Sequence, residues 1–198
     1  MFIISGCAAD AVSYEASQYG QELLTYSLLQ AMKGAALKDY INVNTLLSFA
    51  REEVPKLANG IGGIQTPQLL VPKSGSFDIG ILTDEDKKAI PLANPKTVFV
   101  RSNLVDANED DDLLNLSAML DDKLAQIAAR GSEAKIVFFD TRMFPQSCKL
   151  SGGYQNKNNK LSIQLKIRCG EAVSEYKLEA PSKEELIEKI LEIVNAKK

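Results

Sequence analysis

The period of apolar and polar positions changes several times along the chain, and each change marks an element. Phe2–Ala8 (FIISGCA) is an apolar run with small residues and no helical stripe, which predicts a buried strand. After a polar loop, Leu23, Leu24, Tyr26, Leu28, Leu29 and Met32 give Gln21–Lys33 a wide apolar helical face, with Gly34 as its C-terminal stop. Asn44 or Thr45 is placed to cap a second helix, TLLSFAREEVPKLA, in which Pro55 should kink the axis or tighten the last turn. Beyond the GIGG loop at Gly60–Gly63, QTPQLLV predicts a short strand whose proline favours an edge or a strand start.

From Pro72 to Pro95 the character changes to PKSGS, FDIGIL, the polar TDEDKK and two more prolines, which predicts a linker over 73–95 holding one short strand. The C-terminal hundred residues follow a different logic. KTVFV at Lys96–Val100 and KIVFF at Lys135–Phe139 predict strands, with a helix between them from about Asp111 to Arg130. SCKLSGGYQ and KLSIQLKIRC flank the turn Asn156–Asn159 as a hairpin, and EAVSEYKLEA alternates as a third member of an antiparallel meander. Ser182-Lys-Glu-Glu185 is a capping box for a last helix lined by Leu186, Ile187, Ile190, Leu191 and Ile193. The expected class is therefore α/β. Residues 1–72 form a layer of strands packed with two helices, and 96–198 form a second small α/β domain.

Composition narrows the chemistry. A net charge of −3 over 198 residues argues against a dedicated nucleic-acid binder, and no stretch has the run of apolar residues needed to span a bilayer. Three cysteines, Cys7, Cys148 and Cys169, lack metal-ligand spacing and fit reduced thiols in a cytoplasmic setting better than a disulfide framework. The absence of histidine matters most. It removes a Ser-His-Asp triad, a Cys-His dyad and a His-based zinc site from this chain, so no catalytic residue is assigned.

Cys7 has three readings. Ile4-Ser5-Gly6-Cys7 matches a lipoprotein cleavage site, but only Met1, Phe2 and Ile3 precede the match and none is basic. A catalytic thiol needs a neighbouring base that the chain does not offer in the usual form. Interior of a strand is the expectation that remains.

The longer stretch, FIISGCAADAVSYEA followed by GQELLTYSLLQAMKG, resembles the start of the small subunit of the caspase and metacaspase cysteine peptidases. There a strand close to ISGC runs through an acidic turn to Ser-Ala-Asp, or to Ser-Trp-Arg in animal caspases. Here Ser13-Tyr14-Glu15 lies over that place, and Gly20, Leu24-Thr25-Tyr26 and Gln65-Thr66-Pro67 resemble bacterial members. The resemblance covers about residues 1–72. It implies a caspase-like small-subunit layer whose catalytic His and Cys lie in a large-subunit-like half, either upstream sequence or a separate chain, so that this chain begins after the dyad and is inactive alone.

By the same resemblance, Asp10, Tyr14 and Glu15 are the candidate substrate-binding residues. A carboxylate where caspases carry arginine inverts the pocket field and favours Arg or Lys in a peptide substrate through a charge-assisted contact. The alternative is that Asp10 and Glu15 are solvated loop acids and that Tyr14 covers the core.

The element order of the C-terminal region is similar to that of small α/β accessory domains of bacterial envelope proteins, which implies a binding module. Glu109–Asp112 lacks the spacing of a calcium loop and, placed before a helix, is expected to cap it rather than hold a metal. Gly152-Gly153 suggests a bulge or turn, without a phosphate-loop pattern around it. No cofactor is expected. The functional expectation is a non-catalytic small-subunit-like part of a caspase-like endopeptidase fused to an accessory domain. The alternatives are an inactive caspase-like scaffold or an envelope-associated binding protein. An unpartnered Phe2–Ala8 strand would pair with the large half or self-associate.

Overall fold

The computed structural model describes every residue except 38, 73–74, 131–132, 158–159 and 197–198. The chain divides into two compact units, Met1–Pro95 and Lys96–Lys198, each mixing helices with strands in an α/β arrangement.

In the first unit, strand β1 is Ile3–Ser5 and pairs antiparallel with β5, Gln68–Leu70, in the register Ile3↔Leu70 and Ser5↔Gln68. The expected buried strand over Phe2–Ala8 is therefore corrected: β1 stops at Ser5, and Ile3 and Ser5 are exposed. Cys7 is not strand interior either. It sits half-buried in the bend that follows, its thiol donating to the Ala11 carbonyl at 3.1 Å. The Ser5 hydroxyl donates to the Cys7 carbonyl at 2.9 Å, a local side-chain bond that competes with the strand ladder and ends it.

A two-residue ladder joins β2, Glu15–Ala16, to β3, Gln21–Glu22, around Gly20, whose φ of 63° suits glycine in the left-handed region. Helix α1, Leu23–Gln30, continues into a wider π-helical turn over Ala31–Ala35 that breaks at Gly34 (φ 118°). Strand β4, Tyr40–Asn42, leads into helix α2, Val43–Gly60. The cap of α2 is Asn42, not Asn44 or Thr45: its side-chain oxygen accepts from the Thr45 amide at 3.2 Å. The helix continues through Pro55. The amide that proline lacks would have served the carbonyl of Arg51, an exposed residue, so the lost bond lies on the solvent side of the helix and does not end it.

The stretch expected as a linker belongs to the first unit and holds two elements. Strand β6, Asp78–Ile81, pairs with β4, and helix α3, Asp84–Ala89, has a reciprocal capping box between Thr83 and Asp86. That helix was not legible as one because TDEDKK has no apolar face, and none of its residues is buried. The helices α1 and α2 close over Tyr19, Leu23, Tyr26, Val54 and Ala58, with a smaller cluster at Ala31, Leu37 and Leu46.

Among the described residues the second unit is a six-stranded mixed sheet with two α-helices. Its strands are β7 (Thr97–Val100), β8 (Asn103–Asp106), β9 (Ile136–Phe139), β10 (Cys148–Lys157), β11 (Lys160–Cys169) and β12 (Ala172–Ala180). The order is β12-β11-β10-β7-β9, with β8 continuing the β7 edge of β10. β7, β9 and β10 run parallel where they pair, and β10, β11 and β12 form the antiparallel meander. The hairpin residues Asn158 and Asn159 lie outside the described residues.

Helices α4 (Leu116–Ala128) and α5 (Lys183–Ala196) pack on one face of this sheet. Leu161, Ile163, Leu165 and Ile167 of β11 alternate onto that face with Leu150 and Tyr154 of β10, and meet Leu116, Leu120, Leu124, Leu186, Ile187 and Ile190. α4 begins five residues later than its apolar pattern suggests. The Asp112 carboxylate takes the amides of Leu116 at 2.9 Å and Ser117 at 2.7 Å, so the acidic run ends as a helix cap.

Two of the three cysteines are not free thiols. Cys148 and Cys169 stand directly opposite each other on β10 and β11 with Cα atoms 4.1 Å apart, and they form a disulfide. A sequence separation of 21 gave no framework to read, and the strand register creates the pair. Gly152-Gly153 is also corrected: neither a bulge nor a turn, it lies mid-strand in regular register with Leu165 and Gln164. A Cβ on Gly152 would press into the Gln164 carbonyl oxygen, so glycine permits the close approach of β10 to β11.

Candidate functional site

The three residues expected to bind substrate lie on one loop of the first unit, and a single buried side chain organises it. Gln65, 2% exposed, accepts the Tyr14 amide on Oε1 at 2.8 Å. Its Nε2 donates to the Gly6 carbonyl at 2.8 Å and the Ser13 hydroxyl at 3.1 Å. One amide side chain thus staples both ends of the 6–14 loop to the irregular segment that leads to β5. Such a side chain stays buried because each of its polar atoms is satisfied.

Tyr14 is half-buried, with its ring over Gly63, where any Cβ would collide with Cζ, and against the cluster around Tyr19 and Leu23. It therefore covers core and walls the loop at once. Glu15 is exposed on β2 and stands directly opposite Glu22 on β3. Like charges directly opposite each other across a ladder are unfavourable, so the register sets two exposed acids side by side without a stabilising gain. Glu22 has no signal in the sequence, because only the Gly20 turn brings it to Glu15. Asp10 is exposed with a φ of 62°, and among the described residues no hydrogen bond or ion pair joins it to Tyr14 or Glu15.

A second candidate lies on the helix-free face of the second unit. Successive rungs across β12, β11 and β10 read Val173–Arg168–Lys149, Glu175–Lys166–Ser151, Lys177–Gln164–Gly153 and Glu179–Ser162–Gln155, ending at Lys160–Lys157. These side chains alternate with the buried ones, and the middle rungs, with Lys166, Lys177, Glu175 and Glu179, line a concave surface of about 740 Å³ together with Gly153 and Ala107. Lys166 pairs with Glu175 at 2.9 Å and Lys160 pairs with Glu179. Six cations against two carboxylates give this face a positive field, in a unit whose acidic and basic residues are equal in number. The sequence hid the patch because its lysines are spread over three strands.

A third group sits where parallel strands β7 and β9 end, the edge at which open α/β sheets place ligands. Arg101 follows β7, Asp140 follows β9, and their side chains pair. This contact holds the Asp140 carboxyl below the ordinary carboxylate range. Asp121 on α4 accepts the Ser102 amide at 2.9 Å, and burial pushes its carboxyl up against that bond. The only hint in the sequence is a charge straight after each apolar strand, VFV-Arg101 and VFF-Asp140. Among the described residues no three His, Cys, Asp or Glu side chains converge as a metal site, and no helix is long and apolar enough to cross a membrane.

Comparison of the chain with protein-family models, with curated proteins and with solved structures returns no match.

Proposed function

We propose that the Met1–Pro95 unit is a caspase-like small-subunit layer, the non-catalytic part of a cysteine endopeptidase that prefers Arg or Lys before the scissile bond. Asp10, Tyr14 and Glu15 are its substrate-pocket residues, now joined by Glu22. The observation that carries the reading is the Glu15–Glu22 pair: two exposed glutamates in register on β2 and β3, beside the loop stapled by Gln65, offer a basic side chain charge-assisted contacts. Further support comes from the β1–β5 ladder, which has only two strands and leaves Ile3, Leu70 and Val71 exposed. An isolated two-stranded pair is marginal in water, so a neighbouring strand from a His- and Cys-bearing half would complete the sheet. That half supplies the nucleophile and base that a chain without histidine lacks. The Lys96–Lys198 unit acts as an accessory binding domain.

The test is reconstitution with a caspase-like large half, read with coumarin-releasing peptides ending in Arg, Lys or Asp. The chain alone should show no thiol-dependent cleavage, and the reconstituted pair should favour Arg and Lys. Glu15→Gln should lower the ratio of basic to acidic cleavage about tenfold or more, the loss of one charged contact. An unchanged ratio would remove Glu15 from the pocket and favour the second reading, a catalytically inactive scaffold that binds through the exposed β1–β5 residues. A cytoplasmic location belongs to either reading only if the Cys148–Cys169 bridge is reversible there, since persistent disulfides mark oxidising compartments.

A further inference from the structure

Strand β12 ends the sheet order of the second unit, so its outer edge carries no strand among the described residues. It is nine residues long, and proteins usually shorten or guard such an edge. Cys169 and Ala172 close a two-residue hairpin turn at Gly170-Glu171, which makes them a hydrogen-bonded pair. The amides of Val173, Glu175, Lys177 and Glu179 therefore point away from β11. The Glu179 carbonyl agrees with this, since it is taken by the Lys189 ammonium at 2.8 Å.

We propose that β12 is a self-pairing edge: two copies of this chain join antiparallel through it, making one continuous sheet from their two six-stranded sheets. The strand's own pattern selects the register. The midpoint of Ala172–Ala180 is Tyr176, and full-length antiparallel pairing about that point sets Glu175 opposite Lys177 of the second copy, twice by symmetry. Both residues are among those whose amides point outward, so each oppositely charged pair is also a hydrogen-bonded rung. Tyr176 meets its counterpart in the close, non-hydrogen-bonded position, where aromatic pairs contribute most. Sliding the centre to Glu175 or to Lys177 opposes like charges and shortens the ladder. Glu175 and Lys177 stand exposed beside each other on the strand, and only at the end of the ladder must a bond yield, where the Lys189 ammonium leaves the Glu179 carbonyl to the Val173 amide of the second copy. Lys177, which would otherwise only guard the edge, finds a carboxylate in the partner.

The experiment is sedimentation or light scattering of the purified full chain with its disulfide intact. It is run on the wild type, Lys177→Glu, Glu175→Lys and an equimolar mixture of the two variants. The expected wild-type mass is twice the 21.6 kDa of the chain, falling to one chain in each variant alone. The mixture, which restores both opposite-charge pairs, should return to the doubled mass. A monomeric wild type, or variants that stay dimeric, would overturn the proposal. Should either variant fail to fold, hydrogen exchange of the wild type decides. Protection of the Glu175 and Lys177 amides that rises with protein concentration upholds the pairing, and exchange independent of concentration overturns it.

Discussion

The Tyr154 hydroxyl donates to Asp112 Oδ1 at 3.2 Å while accepting the Leu114 amide at 3.0 Å. A fully buried ring on β10 thereby reaches the cap of α4, and the same carboxylate takes the first amides of that helix. Sheet and helix are joined at the point where the helix starts. Asp112→Ala removes both cap bonds and the tyrosine's acceptor, and should cost about 1–2 kcal/mol. Tyr154→Phe should cost about 1 kcal/mol, seen as a midpoint lowered by roughly 4–8 °C for a unit of this size. Thermal unfolding of both variants checks this, and an unchanged midpoint for Asp112→Ala would remove the cap from the account.

Gln65 holds a loop more than a core. Gln65→Leu leaves the Tyr14 amide and the Gly6 carbonyl without their partner, so the 6–14 loop should open locally while the unit stays folded. The expected sign is faster reaction of Cys7 with an aromatic disulfide reagent, together with faster exchange of the Tyr14 amide. Equal thiol reactivity in wild type and variant would mean that other contacts hold the loop.

The bridge is countable. Alkylation of the denatured, unreduced protein should label one thiol, Cys7, and prior reduction should raise the count to three. Reduction should also lower stability by about 2–4 kcal/mol, the usual range for a loop of this length. Three labels without reduction would contradict the bridge.

Adjacent glycines should respond differently. At Gly152 an added methyl presses into a backbone oxygen that cannot move without its strand, so Gly152→Ala should destabilise by about 1–3 kcal/mol. At Gly153 the nearest atom is Ala107 Cβ at 3.5 Å, ordinary contact, and Gly153→Ala should be close to neutral. Denaturant midpoints compare them, and equal losses would refute the close-approach explanation.

Asp121 sets a pH dependence. Burial raises its carboxyl in the folded state, so the stability tied to its protonated form is fully present below the unfolded value and is lost as pH rises through the folded one. Asp121→Asn keeps an acceptor for the Ser102 amide and has no charge to bury. The variant should therefore gain on the wild type as pH rises across the carboxylate range, then hold its advantage towards neutrality. Unfolding midpoints across that range check it, and a difference constant with pH would show that Asp121 titrates normally.

Most strands and helices were legible because their side chains carry a period. The alternation of β11 could face a core in only one way, KTVFV and KIVFF are continuous apolar runs with neighbouring residues buried on both faces, and Ser182 with Glu185 marked the start of the last helix. Elements stabilised without an apolar stripe were not. Helix α3 stands on a capping box and charges, and β1 ends at Ser5 because local side-chain bonds displace the ladder, although the residues that follow remain apolar. Of the candidate site, Tyr14 and Glu15 could be named from their stretch of chain. Glu22, Gln65, Asp121 and the lysines of the open sheet face could not, since their neighbours are distant in sequence.

The sequence by itself determined most of the local states: which periodic segments are helical or extended, the cap of the last helix, and that the chain has no histidine. Those follow from short-range sterics and the spacing of apolar side chains. Only the tertiary structure decided the Cys148–Cys169 bridge, the Glu15–Glu22 pair, the clamp of Gln65 and the place of β12 at the end of the sheet order. Each is a matter of strand register or long-range contact, and a register is chosen by the whole packed sheet, not by any one strand.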